Sequence, residues 1–231
     1  MVHDALKSKR RVETVFLSNA SRTEPRIKEI EILAKNKGTK VTWIGANELL
    51  KMAESGNPQG VIATMKLPEV NLEEILNKKK PLILLFNRLD YEQNLGAILR
   101  TAWASRVDAI IVSNNGVNQV SPVVAKISMG GAAYVPVITE SLFQALTLIK
   151  KQAIPVVGVE VGKGEIYTES KLTGPLALVF GGEAAGLTEP LIKYCDRLIN
   201  IPMVENVASL NVSVATAIVL FERLRQLRHQ P

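Results

Sequence analysis

Cysteine is almost missing from this chain. Cys195 stands alone among 231 residues, which excludes an internal disulfide and leaves no cysteine-rich metal site. Long apolar runs are missing too, since none approaches the roughly 20 residues that span a bilayer. The N-terminus, Met1-Val2-His3-Asp4-Ala5-Leu6-Lys7, has no apolar core of the kind a signal peptide carries. Neither G-x-G-x-x-G nor G-x-x-x-x-G-K-[ST] occurs, so neither the dinucleotide fingerprint nor the P-loop is encoded. Internal repeats and low-complexity tracts are absent as well. What is present is an ordinary globular balance of 47% apolar and 22% charged residues, long enough for a small domain plus a medium one. These features point to a soluble cytoplasmic protein without a metal or a membrane anchor.

The charge is one-sided. A net +6 attracts phosphates without proving that they bind. Basic residues cluster at Lys7-Ser8-Lys9-Arg10-Arg11, at Lys78-Lys79-Lys80 and from Arg223 to Arg228. Any one cluster reads equally well as a solvated surface. Together with the whole-chain excess they favour an anionic partner.

The hydrophobic pattern divides the chain. From Val12 to about Val70 it reads as a small α/β unit with strands at Val12 to Leu17, Val41 to Ile44 and Gly60 to Lys66. Helices fall at Pro25 to Asn36 and Ala46 to Ala53. A connection with a short helix near Leu72 to Asn77 follows. From Pro81 the pattern changes. Pro81 to Asn87 is a continuous apolar run, the mark of a strand buried on both faces. Further strands are expected at Ala109 to Ser113, Val135 to Val137, Pro155 to Glu160, Leu176 to Phe180 and Leu198 to Ile201. Between them lie helices at Asn94 to Ser105, Pro122 to Ser128, Ser141 to Gln152 and Leu187 to Tyr194, with a last one from about Ser209 to Arg228. Such alternation predicts a parallel, doubly wound sheet.

Three segments place polar and glycine residues where strands end, which is where open α/β sheets bind ligands. The first runs from Asn87 through Asn94 and Gly96 to Arg100. Asn94 is placed to cap the helix, and Arg100 lies six residues on, off the same helix face unless Asn94 sits in the preceding loop. Alone, this reads as a cap and a surface arginine. The second is Phe180-Gly181-Gly182-Glu183-Ala184-Ala185-Gly186-Leu187, a glycine turn that exposes backbone N–H groups. Glu183 can cap the next helix or accept from an arginine. The third is Ile201-Pro202-Met203-Val204-Glu205-Asn206-Val207-Ala208-Ser209-Leu210-Asn211-Val212-Ser213. Ser209 is a natural N-cap, whereas Asn211 and Ser213 are poor helix formers in an apolar run, which points to packing or function.

In order and wording the three segments resemble motifs 1, 2 and 3 of the SpoU branch of the SPOUT methyltransferases: N-L-G-A-I-L-R-T-A, F-G-G-E-A-A-G-L and I-P-M-V-E-N-V-A-S-L-N-V-S-V-A. The resemblance covers Pro81 to the C-terminus. Residues 1–75 are similar to the L30e-like α/β domain that binds substrate RNA in many members. It is here abbreviated, without the glycine-containing opening segment usual in the family. The resemblance implies a catalytic domain over 76–231, with a mostly parallel sheet and a trefoil knot. It implies S-adenosylmethionine as cofactor, held by Gly181, Ile201 and Leu210 at its adenine and lined by Gly182, Met203 and Ser209. It implies catalysis by Arg100 with Asn94, Glu183 and Asn211, a homodimer, and methylation of a ribose 2′-hydroxyl of structured RNA. Ribosomal RNA is favoured over transfer RNA by the two-domain layout. The alternatives are a non-catalytic RNA-binding protein of the same fold and an α/β enzyme for a small anionic substrate.

Overall fold

The computed structural model describes residues 2–8, 11–53, 58–67, 70–182 and 186–229. The chain divides into two compact units, Met1–Glu69 and Val70–Pro231.

In the first unit, β1 (Val12–Ser18) is the central strand of three. It pairs in parallel with β2 (Lys40–Ile44) and antiparallel with β3 (Val61–Met65). Helices α1 (Val2–Lys7), α2 (Pro25–Asn36) and α3 (Ala46–Met52) complete it. The helix α1 precedes the first expected element. Leu6, Val15, Leu17, Ile27, Ile30 and Leu49 are fully buried and form its core. Pro25 starts α2 at the position where its missing N–H costs nothing.

The second unit is a seven-stranded sheet in the order β6-β5-β4-β9-β7-β10-β8. The strands are β4 (Leu82–Phe86), β5 (Ala109–Val112), β6 (Val137–Thr139), β7 (Val156–Val159), β8 (Glu165–Ile166), β9 (Leu176–Phe180) and β10 (Arg197–Asn200). Every neighbouring pair is parallel. The helices are α4 (Leu72–Leu76), α5 (Glu92–Ala104), α6 (Pro122–Ile127), α7 (Leu142–Lys151), α8 (Glu189–Tyr194) and α9 (Val212–Arg228).

The continuous apolar runs follow from burial on both faces. Leu82, Leu84 and Phe86 pack into one core with Leu95 and Ile98 of α5 and Val219 and Leu220 of α9. Ile83 and Leu85 point the other way, into a core with Leu142 and Leu146 of α7 and Leu191 of α8. One device recurs at the strand starts. Asp108, just before β5, accepts the N–H of Leu82 at 2.9 Å and pairs with Lys78 at 2.7 Å. Asp196, just before β10, accepts the N–H of Val156 at 2.7 Å and pairs with Lys150 at 3.0 Å. Each carboxylate fixes the first residue of the neighbouring strand.

Two expected caps are not caps. The helix α5 begins at Glu92 after an extended Tyr91, so Asn94 lies inside its first turn. The helix α9 is capped by Asn211, whose side chain accepts from the N–H of Ser213, and Ser209 stays in the loop. Among the described residues no helix is long and apolar enough to cross a membrane.

Candidate functional site

The carboxyl ends of β7, β9 and β10 open onto one cavity of about 530 Å³. Glu160 stands at the end of β7, Gly181 and Gly182 follow β9, and Ile201 and Met203 follow β10. Ser209, Leu210 and Asn211 close it just before α9. All six residues expected at the cofactor, Gly181, Gly182, Ile201, Met203, Ser209 and Leu210, therefore line one cavity, as does Asn211. Ligands sit at this end of open α/β sheets because the loops there diverge and expose backbone groups.

The glycine turn is a tight hairpin. Gly182 and Gly186 exchange two backbone hydrogen bonds at 3.1 and 3.0 Å. A β-carbon on Gly181 would lie 2.0 Å from the carbonyl carbon of Gly186, and one on Gly182 would lie 2.8 Å from the carbonyl oxygen of Asn87. The turn after β9 is thus packed backbone to backbone, against itself and against the loop after β4. Glu183 lies outside the described residues.

Asn94 does not line the cavity but holds part of its wall. It is buried, and its Oδ1 accepts from Asn211 Nδ2 at 3.0 Å. Asn211 Oδ1 accepts from the Ser213 N–H at 2.9 Å and from its hydroxyl at 2.7 Å. The first and third segments are joined here across 117 positions of sequence. Asn211→Ala removes a helix cap, costing about 1 kcal/mol, and removes the Nδ2 donor from the buried Asn94 Oδ1, a hydrogen bond contributing about 0.5–1.5 kcal/mol. A double-mutant cycle with Asn94→Ala, followed by denaturant unfolding, should therefore give a coupling of about 1 kcal/mol or more. Additive losses would show that the two amides do not depend on each other.

Arg100 is exposed on α5 and does not line the cavity of its own chain. Asn94 and Arg100 lie on different faces of α5, about 120° apart around its axis, because six residues advance a helix by about 600°.

Glu160 was missed by sequence reasoning. It is the one charged side chain among the described residues lining the cavity. Its Oε2 accepts the N–H of Leu187 at 2.6 Å, and its Oε1 accepts the N–H of Val161 at 3.1 Å. It thereby holds the base of the glycine hairpin with one charge-assisted bond, while the second, from the neighbouring Val161, fixes the carboxylate itself. The available signal was an acidic residue at the end of a buried apolar strand. Glu160→Gln sets an amide N–H against a backbone N–H. The variant should bind the cavity's ligand about tenfold more weakly, for the loss of roughly 1.5 kcal/mol. Calorimetry checks this, and unchanged affinity would show that the hairpin holds itself.

Cys195 takes no part. Burial pushes its thiol up to about 11, so little thiolate forms near neutrality. No cluster of three or more His, Cys, Asp or Glu that could hold a metal ion occurs among the described residues.

Comparison with known proteins adds a second line of argument. Residues 81–221 match the model of the SpoU rRNA Methylase family. Residues 1–70 match that of RNA 2′-O ribose methyltransferase substrate binding. The 23S rRNA (guanosine-2′-O-)-methyltransferase RlmB of Haemophilus influenzae is 41% identical over 212 residues, covering 89% of this chain and 85% of that protein. A crystal structure of an RNA 2′-O ribose methyltransferase superposes with a TM-score of 0.81 at 29% identity, over 98% of this chain and 86% of the other. The SpoU methyltransferase AviRb of Streptomyces viridochromogenes, crystallised with its cofactor AdoMet, shares the fold with a TM-score of 0.85. Its identity is 23%, over 100% of this chain and 88% of the other.

Proposed function

Since this chain belongs to the SpoU rRNA Methylase family, we propose that it transfers a methyl group from S-adenosylmethionine to a ribose 2′-hydroxyl of ribosomal RNA. The observation that carries this reading is the convergence of two distant motif segments on one cavity, with the third tied to its wall through Asn94. The relatives' substrate, a guanosine of 23S rRNA, is the first to test. We assign RNA recognition to residues 1–75 and catalysis to residues 76–231; the family matches over residues 1–70 and 81–221 support this division.

The cavity fits the cofactor. Its volume of about 530 Å³ falls within the usual range for small-molecule sites. Gly181 and Gly182 offer bare backbone, Ile201 and Leu210 offer apolar surface, and Glu160 opposes a positive charge. S-adenosylmethionine supplies a methyl group on a positively charged sulfur, a leaving group that needs neither metal nor acid. Gly181, Ile201 and Leu210 would hold its adenine, with Gly182, Met203 and Ser209 beside them.

The harder half of the reaction is the acceptor. A ribose hydroxyl is a poor nucleophile until its proton leaves. Arginine stays protonated in proteins and makes a weak base. Arg100 therefore binds RNA phosphate and stabilises the developing alkoxide. Glu183 orients Arg100, while Asn94 and Asn211 fix the loops. Because Arg100 lies outside its own chain's cavity, we also propose a cytoplasmic homodimer in which each α5 presents Arg100 to the partner's cavity. The family's trefoil threading is part of the same proposal. The crossed order β4-β9-β7-β10 and the packing of α9 against α5 support it.

Mapping of 2′-O-methyl riboses in ribosomal RNA from cells with and without the gene tests the function. One methyl group should vanish with the gene. Identical maps, with no heat of binding on titration of S-adenosylmethionine, would contradict it.

A further inference from the structure

The N-terminal unit holds a recess that methyl transfer at the large cavity does not use. It is lined by Arg22, Lys28, Glu31, Ile32 and Trp43. Trp43 lies on β2, an edge strand of its sheet among the described residues. The Arg22 guanidinium carbon sits 4.7 Å from the centre of the Trp43 ring. Its Nε donates to Asn19 Oδ1 at 3.1 Å, which fixes the group in place. Beside this pair Ile32 leaves 60% of its surface exposed.

The charge of the recess is positive in effect. Glu31 is its one carboxylate, and Lys35 engages it at 2.7 Å. That hydrogen bond holds the carboxyl below its usual range, with smaller help from the Trp43 indole N–H and from Arg22. Arg22 and Lys28 are exposed and form no ion pair among the described residues. Residues 1–69 carry twelve Lys and Arg against eight Asp and Glu. An acidic peptide would satisfy the cations but would leave the flat guanidinium–indole pair and Ile32 without a matching surface. An unpaired nucleotide matches all of them, because its base has a π-face and its phosphate a charge.

We propose that this recess is an RNA subsite, in which an unpaired base stacks on the Arg22–Trp43 pair against Ile32 while Lys28 takes the adjacent phosphate. The proposal rests on the reading of the chain as an RNA-modifying enzyme and places one point of substrate contact outside the catalytic unit.

The chain has two tryptophans. In the full-length Trp103→Phe variant, emission therefore reports Trp43 alone. Phenylalanine keeps a ring against Tyr134, which Trp103 stacks on at 4.4 Å. Single-stranded decaadenylate should quench this emission. Arg22→Ala should weaken the response about tenfold, the loss of one stacked base, and Arg22→Lys should weaken it nearly as much because the planar group is gone. Polyphosphate, which has charge but no bases, should not quench. Absent quenching by decaadenylate, equal quenching by polyphosphate, or indifference to Arg22→Ala each overturns the proposal. Methyl transfer to ribosomal RNA, measured on the same chains, separates the two readings. Transfer without quenching removes the subsite alone, and quenching without transfer removes the enzymatic function alone.

Discussion

Arg100→Ala should lower methyl transfer by about 100- to 1,000-fold, the usual effect of losing one group that stabilises transition-state charge. Cofactor affinity should not change, since the role assigned to Arg100 is to bind the RNA phosphate and the developing alkoxide rather than the cofactor. Stability should hardly change either, because the side chain is exposed. Arg100→Lys keeps the charge but loses the two-pronged geometry that suits a phosphate, so it should recover only part of the rate. Calorimetry with S-adenosylmethionine and single-turnover transfer on RNA separate these effects. A fall in cofactor affinity matching the fall in rate would contradict the role assigned to Arg100.

Gly181→Ala should fail in the opposite way. The added carbon would lie 2.0 Å from the Gly186 carbonyl carbon and 2.4 Å from the Leu187 nitrogen. Both are main-chain atoms, so no side chain can swing aside. The hairpin must open or shift, and with it the wall that Glu160 holds through Leu187. Forcing an extra carbon into a packed site costs about 1–3 kcal/mol. The cofactor should then bind roughly ten- to a hundredfold more weakly and the denaturation midpoint should fall, both measurable on one preparation. The two variants also test the homodimer. Mixed and refolded together, Arg100→Ala and Gly181→Ala chains should regain up to about a quarter of the normal activity, since half the dimers carry one intact composite site. No recovery would mean that Arg100 serves its own chain.

Some of this was legible in the sequence, and the reason is local. Leu82–Phe86 and Leu176–Phe180 read as buried strands because both faces of each are covered, which removes every polar residue from the run. The six cavity residues were legible through the resemblance of their segments. Where the reading failed, a distant partner overrode a local preference. Asn94 looked like a cap, yet it turns inward to meet Asn211 across 117 positions. Ser209 and Asn211 are both good caps, and the bond to Asn94 accompanies the choice of Asn211. The strand β8 is two exposed residues, Glu165–Ile166, too short to leave a periodic trace. Glu160 showed only as an acidic residue at a strand end, because its importance lies in the hydrogen bond it accepts from the Leu187 N–H, and only the sheet order brings β7 beside β9.

The most direct test is transfer in vitro. The purified full-length chain, given S-adenosylmethionine labelled at its methyl group and unmodified 23S rRNA, should yield label that survives digestion to nucleosides as a single 2′-O-methylated ribose. Label on a base, or none on RNA while the cofactor binds, would contradict the account.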